Sequence, residues 1–409
     1  MSVVPHGLKR ISIVAANGDE QRQQTLLDCM IEAARKDDLV PPPPARKAAT
    51  TPKRRVRTGQ ATTARVTLAQ VAARAGVSTT AASFVLSGRD DQRIAPATQE
   101  RVRKAAEDLG YRPNLTARTL RTGTSGTIAL VSDYVSSTPY ASDVLRGALE
   151  AARRHDMLLY IAESLGDEDV EQRLLQGLAD RGVDAVIYAA MFTRRIVVPD
   201  LVRKMPLVLL NCVSDDVTAA AVLPDEVGAG REAAQLLIDA GHRSGIHFVG
   251  HTPPGFRGGI QWKESEPLAL PQRLSGVESA LAEAGLALSA TPPLDEWEPA
   301  NGRLAVKALL AAGAAPRALI CINDRVAFGA YQALQAAGLS VPEDVSVVSF
   351  DGSELAGWLE PGLTSLALPH EEMGRTAVDT LFTKSPPPGS RRLVPMPVHS
   401  RGSVGPARP

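Results

Sequence analysis

The sequence predicts two folds in one chain: an all-α N-terminal helix-turn-helix domain, then a bilobed α/β body. Three observations carry this. First, charge is segregated along the chain. The 409 residues balance 45 Lys and Arg against 45 Asp and Glu, but residues 1–45 hold 5 basic and 6 acidic side chains, residues 46–122 hold 16 and 5, and residues 123–409 hold 24 and 34. A compact basic segment on an acidic body suggests either a polyanion-binding module or a solubilising tail, and the pattern inside the segment must decide. Second, residues 66–121 carry three short helical patterns stopped by glycines. Third, from Gly126 onward apolar strands alternate with helices, the order that builds parallel sheets.

Composition narrows the class. The length allows two or three domains with sizeable cores. At 44% hydrophobic and 22% charged residues, the chain is neither disordered throughout nor a coiled coil. No run of about 18 apolar residues occurs, so no transmembrane helix is expected. The first twenty residues show no secretory pattern. Cys29, Cys212 and Cys321 are odd in number and far apart, which fits free thiols in a reducing cytoplasm.

Residues 1–64 read as an N-terminal extension and basic linker. Arg10–Ala15 suits a short strand and Arg22–Lys36 a helix, but the segment is too short for a core of its own. It is either an accessory segment or sequence ahead of the true start. After Pro41–Pro44, Lys53, Arg54, Arg55 and Arg57 stand without acidic neighbours, as a basic arm that is solvated by default and open to phosphates.

The helix-turn-helix domain is expected over 66–112. Thr67 followed by Gln70 is a capping box, in which the hydroxyl and the amide each satisfy a free backbone N–H. Gly76 can take the left-handed conformation that stops a helix. Ser78 is placed to cap a second helix from Thr79 to about Ser87. Val71, Ala75, Val77, Ala82 and Val85 would pack the pair together, leaving Thr79, Thr80, Ser83 and Phe84 toward the exposed start of the second helix. Pro96 suits the first turn of a third helix, which turns Val102, Ala105, Ala106 and Leu109 inward and ends at Gly110. Three such helices form a small DNA-binding bundle.

R-V-T-L-A-Q-V-A-A-R-A-G-V-S (Arg65–Ser78), L-G-Y-R-P-N (Leu109–Asn114) and A-R-T-L-R (Ala117–Arg121) together resemble the lactose/galactose repressor (LacI/GalR) family. The resemblance runs from about residue 66 to residue 400. It implies a hinge helix over 113–122 that orders on operator DNA, with Leu120 wedged into a minor-groove base step and Ala117 facing the same groove. Asn114, in the Y-x-P-N motif, and Arg121 belong to that contact, with Arg101, Arg112 and Arg118 as further phosphate partners. Thr79 and Thr80 would address base edges or a thymine methyl, and Ser83 the backbone. Phe84 stands where some relatives place arginine. It cannot make a bidentate guanine contact, so it either touches a base or packs on its neighbour helix.

The body, residues 126–400, is expected to be bilobed and periplasmic-binding-protein-like. Lobe 1 covers about 126–223 and 369–385, and lobe 2 about 224–368 and 392–400. A last strand near Leu393–His399 is placed in lobe 2. A ligand would lie at the carboxyl ends of the parallel strands. The resemblance puts I-N-D-R-V-A-F-G (Ile322–Gly329), S-F-D-G (Ser349–Gly352) and R-L-S-G (Arg273–Gly276) there. Asn323, Asp324 and Asp351 would accept from hydroxyls, although Asp324 could instead cap its own helix. Arg273 would hold a sugar or an acid, Tyr140 could stack on a ring, and His370 matches a pocket position by spacing. Gly255–Leu270, with Trp262 and Lys263, reads as an extended loop near Arg273.

Enzyme readings are weaker. Val227–Ala233 contains G-x-G-x-x-A, but Pro224-Asp225-Glu226 separates it from any strand, which breaks the dinucleotide fingerprint. His242, His247 and His251 lie before, within and after one strand, an arrangement that suits ordinary histidines better than a metal site. No cofactor and no metal are expected. The expected function is a cytoplasmic, homodimeric transcription regulator, a repressor, that binds palindromic operator DNA under control of a sugar-like effector. The alternatives are a sugar-binding protein with an incidental basic segment and, further off, an NAD-dependent enzyme. Ser400–Pro409 has no leucine-rich helix of the kind that makes tetramers in some relatives.

Overall fold

A computed structural model describes residues 66–86, 94–112, 119, 123–134, 141–216, 218–250, 268–294, 296–383 and 387–408. The chain divides into two compact units, with Tyr111 closing the first and Arg112 opening the main run of the second.

The first unit contains α1 (Leu68–Ala75), α2 (Thr79–Leu86) and α3 (Pro96–Asp108). Its boundaries follow from local chemistry. Thr67 accepts from the Gln70 N–H, and the Gln70 side chain closes the capping box at 2.8 Å. Gly76 ends α1 at φ 68°, a conformation that costs a side-chain-bearing residue more. Ser78 Oγ accepts from the Ala81 N–H at 3.1 Å, capping α2. Val71, Ala72, Ala75, Ala82, Val85, Val102, Ala105 and Ala106 are buried and form the shared core.

The second unit is built on two sheets. The first has the order β10-β5-β4-β3-β1-β2 and is parallel throughout. Its strands are β1 (Thr127–Ser132), β2 (Leu158–Glu163), β3 (Ala185–Arg195), β4 (Leu207–Val213), β5 (Ala220–Pro224) and β10 (Arg391–Val394). The helices α4 (Ala141–Arg154) and α11 (His370–Leu381) cover one face through Val144, Ala148, Met373 and Ala377. On the other face, α5 (Glu168–Asp180) packs Leu175 and Leu178. The second sheet has the order β11-β9-β8-β7-β6. It comprises β6 (Ile246–Val249), β7 (Ala318–Cys321), β8 (Ser346–Asp351), β9 (Thr364–Ala367) and β11 (Val398–His399), the last antiparallel. Around it lie α6 (Glu226–Asp239), α7 (Ala269–Glu283), α8 (Pro299–Ala311), α9 (Asp324–Ala336) and the short α10 (Glu354–Trp358).

Two expectations change. The last strand does not belong wholly to lobe 2: Arg391–Val394 pairs with β5 in the first sheet, and only Val398–His399 reaches the second. Pro395 and Pro397, which lack an N–H, fall between the two pieces. The loop expected through Leu270 also ends earlier, because α7 begins at Ala269. Trp262 and Lys263 lie outside the described residues.

Helix pairs cross where glycines let backbones touch. A Cβ on Gly230 of α6 would stand 2.1 Å from the Arg273 carbonyl oxygen, and one on Gly276 of α7 would stand 2.1 Å from that of Val227. Gly302 and Gly329 do the same for α8 and α9, and Gly147 and Gly374 for α4 and α11. This accounts for the G-x-G-x-x-A run. Gly230 serves the crossing, and a Cβ on Gly228 would lie 2.3 Å from the Asp225 carboxylate that caps α6.

Candidate functional site: an effector cleft and a DNA-reading helix

Arg273 projects from the second turn of α7 and is 4% exposed. Its Nε donates to Glu226 Oε2 at 2.6 Å and its NH2 group to Glu226 Oε1 at 3.3 Å. Its NH1 group donates to the Ile322 carbonyl at 2.6 Å and to Asp351 Oδ1 at 3.3 Å. Four of five guanidinium donors are therefore used. The plane also stands over the Phe350 ring, 4.7 Å from its centroid. Burial alone would lower the Arg273 pKa, but Glu226 and Asp351 more than offset it and hold the charge in place.

Asp351 ends β8 at φ 98°, a strained value for a residue with a side chain. Burial pushes its carboxyl up to about 6, against the pull of Arg273 and with help from the charges of Asp324 and Glu226. The network continues toward the first sheet. Thr193 Oγ1 donates to Asn211 Oδ1 at 2.7 Å and approaches Glu226 Oε1 at 3.4 Å. The Leu268 N–H donates to the Thr193 carbonyl at 2.8 Å. Polar contacts thus run from Asn211 through Thr193, Glu226 and Arg273 to Asp351, all near the carboxyl ends of β3, β4 and β8.

Asn323 and Asp324 are tied down differently. Asn323 caps α9 by accepting from the Val326 N–H at 2.8 Å, and its amide donates to the Trp297 carbonyl at 3.4 Å. Asp324 is 1% exposed. It accepts from the Ser349 hydroxyl, from Ser365 Oγ at 2.7 Å, and from both the N–H and the Oγ of Ser353 at 2.7 Å. Four donors fill its carboxylate. Asp324 therefore joins α9 to β8, β9 and α10, and takes neither role expected of it, hydroxyl acceptor for a ligand or cap of its own helix. His370 begins α11, which packs on α4 and β4. Burial pushes its imidazole down to about 4, so the ring is neutral at physiological pH. Tyr140 lies outside the described residues.

A second cluster went unread in the sequence. Asp133, just past β1, pairs with Arg194 near the end of β3 at 2.6 Å and accepts from the Tyr134 and Met191 N–H groups at 2.6 and 3.1 Å. Burial raises the Asp133 carboxyl despite Arg194. The usable signal was positional: a charged residue directly after a buried strand of a parallel sheet points to the ligand side.

In the helical unit, Thr79 and Thr80 are exposed on the first turn of α2, while Ser83 and Phe84 are half-buried. Arg101 donates to the Ala75 carbonyl at 3.4 Å, so part of its donor capacity ties α3 to α1. Asn114, Ala117, Leu120 and Arg121 lie outside the described residues.

His242 pairs with Ser346 Oγ at 3.0 Å and His247 lies in β6; burial lowers both imidazoles. His251 is not among the described residues, and within those no group of three His, Cys, Asp or Glu is placed to hold a metal. Cys212 and Cys321 are free and buried, and burial pushes the Cys212 thiol up to about 12.

A helix-turn-helix unit joined to a two-sheet body with a polar network at its strand ends defines a DNA-binding regulator with a small-molecule effector domain. Residues 67–114 match the family described as "Bacterial regulatory proteins, lacI family". Residues 125–391 match "Periplasmic binding proteins and sugar binding domain of LacI family". The chain belongs to the LacI family of transcription regulators. It is 30% identical to the ribose operon repressor of Haemophilus influenzae over 331 residues, covering 80% of this chain and 95% of that one. The transcriptional regulator CelR in complex with cellobiose is 28% identical, with a TM-score of 0.54, covering 83% of this chain and 100% of that one. The lac repressor dimer bound to operator and the anti-inducer ONPF shares the fold, with a TM-score of 0.63 at 22% identity, covering 83% and 99% of the two chains.

Proposed function

We propose that the chain is a homodimeric repressor whose operator affinity is set by an uncharged sugar held between its two lobes. The observation that carries the effector class is the compensation of Arg273. Its charge is already met by Glu226 and Asp351, and Asp324 lies close by. Arg194 is likewise met by Asp133. An anionic ligand would face carboxylates with no uncommitted guanidinium in either network, whereas hydroxyls can donate to Asp351 and Asp133 and accept from the remaining Arg273 donor. The names of the ribose operon repressor and the CelR–cellobiose complex support the same class.

On DNA, Thr79 and Thr80 read base edges from the first turn of α2, with Ser83 on the backbone and Phe84 against an apolar base feature such as a thymine methyl. The hinge, 113–122, contributes Asn114, Ala117, Leu120 and Arg121, with Leu120 as the wedge. The edge strand β2 turns Leu158, Tyr160 and Ile161 to solvent, and a second copy would cover this strip. Relatives are regulators, which supports a binding role over turnover, and a role on operator DNA supports a cytoplasmic location.

The test is binding of the purified chain to DNA upstream of its own gene and to a scrambled duplex. Preference for the native duplex is expected, and Leu120→Ala should reduce that preference more than it reduces binding to the scrambled one. Equal loss on both duplexes would remove the wedge.

A further inference from the structure

Among the described elements the chain crosses between the two sheets three times: from β5 into α6, from β9 into α11, and from β10 into β11. The elements from α6 to β9 lie with the second sheet. Leu268 departs from that division. Its side chain packs on the first-sheet cluster that contains Val131, Val186, Leu209 and Val213, and its N–H donates to the Thr193 carbonyl of β3 at 2.8 Å. Two residues on, Leu270 belongs to the second-sheet core that contains Phe248 and Ile322. The start of α7 straddles the lobes. The first-sheet side of this contact is built for reach. Ala189 of β3 pairs with Leu210 and Arg194 with Cys212, five steps on one strand against two on the other. The surplus residues form a bulge, and a bulge re-aims the groups it carries. Two bonds hold it off the ladder. The Asn211 amide donates to the Ala190 carbonyl at 3.1 Å, and the Met191 N–H to Asp133 Oδ1 at 3.1 Å. Thr193, at the far end, is 2% exposed, and its hydroxyl donates to Asn211 Oδ1 at 2.7 Å. Its carbonyl is left aimed at the other lobe.

We propose that Leu268 is an interlobe tie: docked against the β3 bulge, it holds the lobes in one orientation before any effector arrives and fixes the turn of α7 that carries Arg273. Leu268 is a positioning residue, acting through Arg273 five residues further along the helix. A reorientation that parts Leu268 from the first sheet withdraws the start of α7, and the guanidinium with it. Lobe orientation and the placement of Arg273 are then one event. Magnitude shows that the tie biases the molecule without locking it. A net hydrogen bond and a half-buried leucine each shift an equilibrium about fivefold, so together they favour the held orientation about 25-fold. About 4% of free chains are left untied, a minor population of the size a ligand can select. The tie goes beyond the proposed function, since it acts with neither DNA nor effector present.

The experiment is amide hydrogen exchange of the full, effector-free chain, resolved by peptide mass spectrometry, for the parent, Leu268→Ala and Leu268→Met. The alanine variant keeps the N–H and removes most of the apolar anchor. Exchange should speed up about fivefold in two places at once, residues 268–273 on one lobe and residues 190–194 on the other. Strands β1 and β7, deep in the two sheets, should keep the parent rates. Leu268→Met refills the same space and should restore both segments. Faster exchange at 268–273 alone would be fraying of a helix end and would overturn the tie. Equal acceleration in β1 and β7 would mark a general core role and overturn it too, as would no change anywhere. If the alanine variant does not fold, Leu268→Val, a smaller truncation, gives the same comparison. Operator binding plays no part in this readout, so failure of the tie leaves the proposed function standing, and the reverse.

Discussion

Glu226 and Arg273 meet where neither side chain sees solvent, at 1% and 5% exposure. Removing one member of such a pair leaves the other charge buried and costs about 3–5 kcal/mol. Glu226→Ala should therefore destabilise the body by about that amount in urea unfolding, while Arg231→Ala, whose exposed pair with Glu283 lies on the same two helices, should leave the urea midpoint nearly unchanged because solvent screens that pair. Asp351 predicts a pH dependence. Its folded pKa, about 6, lies above the ordinary 3.8. Relative to the unfolded chain it therefore contributes stability below about pH 4, which is lost as pH rises through 6. Effector binding has the opposite sign. Hydroxyls donate to the ionised carboxylate, so sugar affinity should fall below pH 6, at most tenfold per pH unit for one proton, and Asp351→Asn should flatten that profile. A profile unchanged by the substitution would remove Asp351 from the contact. The family resemblance placed Arg273 and Asp351 together at the strand ends, and the two side chains do meet, at 3.3 Å. The fate of Asp324 was not legible, since its four donors come from Ser349, Ser353 and Ser365, which no spacing rule ties to it.

At the scale of elements, legibility tracked locality. The ends of α1 and α2 were readable because a capping box, a left-handed glycine and a serine cap act within four residues. Strand β1 was readable as a buried run. Strand β5, AAVLP, was missed because five residues of mostly small side chains carry no distinct period. The split of β10 from β11 was missed because alternation along a strand does not name its partner. The G-x-G-x-x-A run shows the reverse error a pattern invites, since its second glycine is there for a helix crossing. Gly230→Ala should therefore cost about 1–3 kcal/mol by overpacking without altering any nucleotide affinity. Melting of the variant against the parent checks this, and an unchanged midpoint would mean the crossing can open freely.

At the scale of the molecule, the exposed strip on β2 predicts that Ile161→Lys shifts the assembly toward monomer in sedimentation, with secondary structure retained. Monomers should bind a two-fold operator more weakly, because one half-site contact is lost per chain. The central claim is linkage. Asp351 and Arg273 belong to one lobe and Thr193 and Asn211 to the other, and Glu226 bridges them. Under the proposed function, a ligand bound at this network would change operator affinity. The measurement that tests this most directly is fluorescence anisotropy of upstream DNA with a panel of neutral and phosphorylated sugars, paired with calorimetry of the active sugar with and without that DNA. A neutral sugar should shift operator affinity, and the DNA should shift sugar affinity by the same factor. A sugar that binds tightly yet leaves operator affinity unchanged, or a response only to phosphorylated sugars, would contradict this.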